Sequence, residues 1–128
     1  MAPADLMPSL LSLMGLKDQI PDGVEGSDHS AVLLGRSDKR PASAFYMFPD
    51  VCRPTGGTRG VRTDRHLFVI DRRETPPRTI LFDNHADPFQ QHNIAESEPK
   101  LVSELTEELN HWLARTKDPW GRCDFPMY

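Results

Sequence analysis

Leu101-Val102-Ser103-Glu104-Leu105-Thr106-Glu107-Glu108-Leu109-Asn110-His111-Trp112-Leu113 is the stretch on which the fold turns. Leu101, Leu105, Leu109, Trp112 and Leu113 recur at i, i+4, i+8, i+11 and i+12, which lines apolar side chains along one stripe of a helix. The intervening Ser, Glu, Asn and His belong on the solvated side. A helix with one apolar stripe must bury it against another layer. That layer lies upstream, where Leu67-Phe68-Val69-Ile70 and Ile80-Leu81-Phe82 are the apolar centres of two strands, read over residues 61–71 and 78–83. Thr75-Pro76-Pro77 connects them closely enough for antiparallel pairing.

Working outward, residues 42–48 are aromatic and apolar enough for a further strand. Residues 49–60 carry two prolines and three glycines and read as a long turn region, a candidate rim. Residues 83–99 read as polar loop. Near the start, Asp5 is placed to cap a first helix, Pro8 falls in its opening turn, and Leu6, Leu10, Leu13 and Met14 recur at helical spacing until Gly15 stops it. Residues 17–40 are loop around the short apolar Ala31 to Leu34, read as one further strand. The fold class is α+β: a small antiparallel sheet packed by the long C-terminal amphipathic helix, with a shorter helix at the N-terminal end. One sheet face, or an edge, is left needing another partner.

Composition narrows the function. The 128 residues suit one small domain able to bury roughly two thirds of its unfolded surface. A net charge of -4 with both signs interspersed points away from nucleic acid. No apolar run reaches the ~20 residues of a membrane span, and no basic segment precedes Leu6, so the expectation is a soluble chain. Twelve prolines are nearly twice the usual ~5% share, which implies much irregular loop, often laid against a larger body. Cys52 and Cys123 lack zinc-site spacing and are read as free thiols, with a disulfide between them as the alternative.

Four blocks then share an order with one family. Asp5-Leu6-Met7-Pro8-Ser9-Leu10-Leu11-Ser12-Leu13-Met14-Gly15 resembles the D-[IL]-x-P-T-L-L-x-L-A-G helix of sulfatases, and Pro21-Asp22-Gly23-Val24-Glu25-Gly26-Ser27 resembles the segment that follows it there. Arg59-Gly60-Val61-Arg62-Thr63-Asp64-Arg65-His66-Leu67 is similar to their R-x-[VI]-R-T-x-x-[YW]-K strand, with His66 and Leu67 replacing the aromatic and the lysine. Residues 81–95 resemble L-[YF]-D-L-x-x-D-P-x-E-x-x-N-L-A, with Gln90 or Gln91 where Glu is usual. The resemblance implies a four-stranded antiparallel sheet with a long C-terminal helix, the C-terminal subdomain of an arylsulfatase-like enzyme of the alkaline-phosphatase superfamily. It also implies that residues 1–16 link to a missing N-terminal catalytic domain and that residues 17–128 form the subdomain.

The full family enzyme, by the same resemblance, would hydrolyse a small sulfated substrate with a formylglycine and a divalent, calcium-like metal held by Asp and Asn oxygens. Cys52-Arg53-Pro54-Thr55-Gly56 echoes the formylglycine signature C/S-x-P-x-R, but Gly56 stands in its arginine position. No catalytic, cofactor-binding or metal residue is assigned to this chain, and it is not expected to catalyse alone. Asp83, His85, Asp87 and His92 are of ligand type and lie within ten positions; turn structure is the preferred reading and a metal cluster the alternative. Arg59, Arg62, His66 and His85 are the candidate substrate-cleft rim, with the loops at 49–60 and 84–96 framing the cleft. Alternation is taken to place Arg62 and His66 on one strand face. The plainer reading has Arg62 tying the strand to the helix or the missing domain, with Arg59 and Arg65 solvated. Trp112 is read as core and Trp120 as more open. Two alternatives stand beside the sulfatase reading: a phosphodiester or phosphonate-ester hydrolase subdomain of the same superfamily, and a stand-alone binding module.

Overall fold

A sheet strand needs its backbone paired and one face covered, and residues 45–123 satisfy both needs with few elements. In the computed structural model, which describes residues 2–123, the chain divides into two compact units, Met1–Ala44 and Phe45–Tyr128. Met1 and residues 124–128 lie outside the described residues, as do the ends of the segments expected at 1–16 and 17–128.

In the first unit, α1 runs Leu6–Leu13 and α2 Ser30–Leu33, with 3-10 turns at Pro3–Asp5 and Lys17–Gln19. The strand expected at Ala31 to Leu34 is this one-turn helix. Two helix stops share one device. Gly15 and Gly35 adopt φ of +75° and +66°, and the N–H after each returns to a carbonyl five residues back, Leu16 to Leu11 and Arg36 to Ala31. Asp5 precedes α1 without capping it. Its carboxylate accepts the N–H of Ala2 at 2.6 Å and of Ser27 at 2.8 Å, fastening the loop to the helix start. His29 Nε2 lies 3.3 Å from Asp5 Oδ2 without hydrogen-bond geometry. Burial raises the Asp5 pKa, but those amides and His29 outweigh it and hold the carboxyl below its ordinary value.

The second unit is a four-stranded sheet in the order β1 (Ala44–Phe48), β2 (Thr58–Arg62), β3 (His66–Asp71) and β4 (Arg78–Asp83), followed by α3 (Pro99–Thr116). β2–β3 and β3–β4 are antiparallel. The single strand expected over 61–71 is therefore two. Thr63 breaks it: its N–H donates to the His66 carbonyl and its hydroxyl accepts the His66 N–H, both at 2.9 Å, closing a tight turn. Cross-strand partners share a face, so Val61, Phe68 and Leu81 stack in one row and bury under α3. They meet Val102, Leu105, Leu109 and Leu113. Phe45 stacks on Trp112 at 5.9 Å, so Trp112 packs as expected. Gly60 allows β2 and β3 to approach, since a Cβ there would overlap the Phe68 carbonyl.

The segment after α3 closes this core, and here two expectations change. Arg59, expected in solvent, is 2% exposed, and its Nε donates to Asp118 Oδ2 at 2.8 Å. Trp120, expected to be open, is buried; its Nε1 donates to the Gly56 carbonyl at 2.9 Å while Arg59 and Arg72 lie 5.0 and 4.1 Å from its ring. Asn110 exchanges two hydrogen bonds with the Cys123 backbone. Cys52 is exposed and Cys123 buried, and no disulfide joins them. Lys117 takes φ +51° to turn the chain back, so that Asp118 N–H reaches the Leu113 carbonyl and the Asp118 carboxylate reaches Arg59.

Asp118→Ala should destabilise the protein by about 3–5 kcal/mol in denaturant titration, because it strands a buried guanidinium. A loss below about 1 kcal/mol would show the pair to be dispensable. Lys117→Gly should stabilise by about 0.5–1 kcal/mol, relieving the left-handed conformation.

Candidate functional site

The register that builds the sheet also gathers three of the four expected rim residues. His66 opens β3 opposite Asp83, the last residue of β4, and Arg62 closes β2 opposite Leu67. His85 follows Asp83 by two positions, and its N–H donates to Asp83 Oδ1 at 3.0 Å. Arg62, His66 and His85 thus stand at one end of the sheet. Among the described residues their side chains hold no hydrogen bond or ion pair. Arg62 and His66 are not on one face: the turn at Thr63 inverts the alternation, so Arg62 stands beside Leu67 and Phe82 on the open face while His66 shares the helix-covered face with Phe68. Arg59 is spent on Asp118 in the core.

Sequence reasoning missed the clamp at this end. Arg65, expected in solvent, donates from Nε and Nη2 to Asp83 Oδ2 at 3.0 and 2.7 Å, and Asn84 N–H donates to the Arg65 carbonyl at 2.8 Å. Arg65 and Asp83 are 18 positions apart, and only the β3–β4 register makes them neighbours. The Arg65 hydrogen bond holds the Asp83 carboxyl well below the usual carboxylate range, aided by the amides of Ala86 and His85, and Asp83 in turn raises the Arg65 pKa.

The loop after β4 uses its polar side chains on the backbone. Asp83 Oδ1 accepts from His85 and Ala86, and Asp87 Oδ2 accepts the His92 N–H at 2.7 Å. Asn93 Oδ1 accepts from Leu81 and Ala95 while its Nδ2 donates to Thr79, tying the loop back along β4. This is the turn structure preferred for Asp83 and Asp87. Gln90 Nε2 donates to Asn84 Oδ1 at 2.7 Å, a bond that a glutamate at this position would not donate.

The two loops expected to frame one cleft leave β2 and β4 at opposite ends of the sheet. Residues 49–57 lead into Thr58, which pairs with Asp71, whereas residue 84 follows Asp83, opposite His66. Arg62, His66 and His85, the residues expected at a rim, therefore gather at the 63–66 and 83–85 end. Cys52-Arg53-Pro54-Thr55-Gly56 lies at the other, where Asp50 accepts the Cys52 N–H and an Arg53 hydrogen bond within an exposed turn. A formylglycine segment does not fit these residues. Among the described residues no group of three or more His, Cys, Asp or Glu side chains could hold a metal ion, and no helix is long and apolar enough to cross a membrane.

Comparison with known proteins places the geometry in context. No protein-family profile matches the chain. It is 34% identical to the ulvan-active sulfatase of Formosa agariphila over 94% of its own length and 24% of that protein, and 29% identical to an endo-4-O-sulfatase of Bacteroides thetaiotaomicron over 91% and 26%. The crystal structure of the yidJ sulfatase homologue of Bacteroides fragilis superposes with a TM-score of 0.82 at 35% identity, covering 91% of this chain and 25% of that one. The chain thus spans about a quarter of the length of the curated relatives it matches.

Asn93→Ala should cost about 1–3 kcal/mol by leaving the buried Leu81 N–H unpaired, and Asn93→Asp, which keeps the acceptor, less. Because the folded Asp83 pKa is depressed, its contribution is fully present above about pH 4 and is lost as pH falls through the folded value. The His85 and Ala86 amide resonances should titrate with a midpoint below that of an unperturbed aspartate; an ordinary midpoint would mean that Arg65 does not hold it.

Proposed function

The chain corresponds to the C-terminal subdomain of the sulfatase family, and from that premise we propose that it completes a sulfuric-ester hydrolase whose nucleophile and metal lie in an N-terminal catalytic domain. The observation that carries this reading is the pairing of a nearly full match on this chain with a match to only a quarter of its relatives. One feature of the molecule supports it. Leu6, Leu10 and Leu13 of α1 remain 49, 47 and 39% exposed, as expected of a helix that meets further protein. The formylglycine and the calcium-like divalent metal that the family resemblance implies would then belong to the catalytic domain.

In this reading the subdomain contributes the rim of the cleft. Arg62 offers a planar fork of donors to a sulfate group, and His66 and His85 offer ring N–H groups beside it. Arg65 is a positioning residue, holding the 83–85 turn through Asp83. The substrate is a sulfate ester of the kind named for the relatives, which act on ulvan or carry 4-O-sulfatase activity. Residues 1–16 serve as the link to the catalytic domain.

An antibody to residues 121–128 should detect a polypeptide about four times heavier than 14.5 kDa in lysate of the source organism. A band at 14.5 kDa would sink the reading in favour of a stand-alone binding module. In the full-length enzyme, Arg62→Ala, His66→Ala or His85→Ala should raise KM for the sulfate ester about three- to tenfold with kcat within about twofold. Unchanged KM in all three would remove the rim from this end of the sheet.

A further inference from the structure

The charged run Arg36-Ser37-Asp38-Lys39-Arg40 follows α2 and has no part in the site described above. Six of the fifteen Lys and Arg side chains hold a carboxylate, and two more, Arg72 and Arg115, lie over a tryptophan ring. Three of the seven that remain, Arg36, Lys39 and Arg40, stand within five positions, and all three are exposed. Among the described residues their side chains hold no hydrogen bond or ion pair. Asp38 is the only acid among residues 29–49, so the segment carries three positive charges less one negative, a local excess of two. The whole chain sums to -4, which leaves -6 on everything else. The backbone of the run is anchored. Gly35, at φ +66°, ends α2, and the Arg36 N–H donates to the Ala31 carbonyl at 2.8 Å, which fixes where the run starts. The Ser37 hydroxyl accepts the Lys39 N–H at 3.1 Å, and Pro41 disfavours helical backbone at Arg40.

We propose that residues 36–40 are a binding site for a sulfated polysaccharide, one that uses none of the rim residues, an inference that rests on the sulfatase reading above. Arginine presents a planar fork of donors to sulfate oxygens, and lysine adds a mobile point charge. Arg36 and Arg40 stand at most about 14 Å apart when the chain is extended, so the three cations meet successive anionic groups along a polymer rather than one small ester. Short runs of Lys and Arg are a recurrent electrostatic footprint for polyanions. At about 0.1 M salt, exposed charges more than roughly 10 Å away are screened, so the local excess, and not the net -4, decides the contact. Single-stranded nucleic acid carries comparable charge, but no aromatic residue interleaves the run to stack on a base. A polymer held here raises the effective concentration of its sulfate groups around the enzyme.

Binding of fluorescein-labelled dextran sulfate to the full-length polypeptide, followed by anisotropy across a salt series, tests the site. The combined variant Arg36→Gln, Lys39→Gln, Arg40→Gln should bind at least about fivefold more weakly at about 0.1 M salt, and its slope of log affinity against log salt should be shallower by about two, for three lost contacts. Asp38→Asn, which raises the local excess to three, should tighten binding about twofold. A control variant, Lys100→Gln, Lys117→Gln, Arg122→Gln, makes the same change of net charge at other exposed positions and should alter affinity by less than about twofold. Equal losses in the two combined variants would assign the effect to net charge and overturn the site. Affinity within about twofold of the unmodified protein in the first variant would overturn it as well. Single-stranded DNA bound more tightly than dextran sulfate, and lost in that variant, would give the run to nucleic acid and overturn the proposed occupant. KM for a small sulfate ester should stay within about twofold in the first variant; a rise as large as the loss of polymer affinity would place these residues in the rim instead. The sulfatase reading falls separately, on the size of the native polypeptide.

Discussion

One helix can cover only one face of a sheet, and the arrangement of the second unit follows from that limit. α3 lays Val102, Leu105, Leu109 and Leu113 across Val61, Phe68, Ile70 and Leu81, and this contact is the core. At roughly 1.5–3 kcal/mol for each fully buried large apolar side chain, these eight residues dominate the favourable side of folding. Everything else in the unit extends that contact or closes its ends. The segment after α3 turns back at Lys117 so that Asp118 neutralises Arg59 and Trp120 caps the loop at Gly56. Asn93 holds the polar loop along the β4 edge, where unpaired backbone would otherwise be exposed.

The same limit separates structural from functional residues. The buried residues of the helix-covered face, Arg59 included, are consumed by packing and internal pairing. Side chains with nothing to hold stand on the open face or at the sheet end, as Arg62, His66 and His85 do. The Arg65–Asp83 clamp lies between these groups: it fixes the turn from which His85 projects.

Much of the fold was legible in the residues. The α3 stripe, the apolar centres at 67–70 and 80–82, and the Pro-rich connection at 75–77 each correspond to an observed element or connection, because hydrophobic period and turn chemistry are local properties. Two errors were also local and had signals. Thr63-Asp64-Arg65 interrupts the apolar run and turns it into a hairpin, and Ser30 to Leu33 is too short a segment for apolarity to choose between strand and helix. The site was less legible. Which face Arg62 occupies depends on a register that a single turn shifts, and a one-residue change moves a side chain across the sheet.

By itself, then, the sequence determined the types of α1, α3 and the sheet strands, the antiparallel pairing of β3 with β4, the core stripe of α3 and the likeness to sulfatases, since each rests on spacing along the chain. Only the tertiary structure decided that Arg59 and Trp120 belong to the core, that Arg65 clamps Asp83, and that Arg62 and His66 stand on opposite faces. Those outcomes depend on pairs 18 to 64 positions apart and on the parity of strand register. Neither is a property of any short segment: the free energy of such pairs appears only once burial under α3 has brought their partners together.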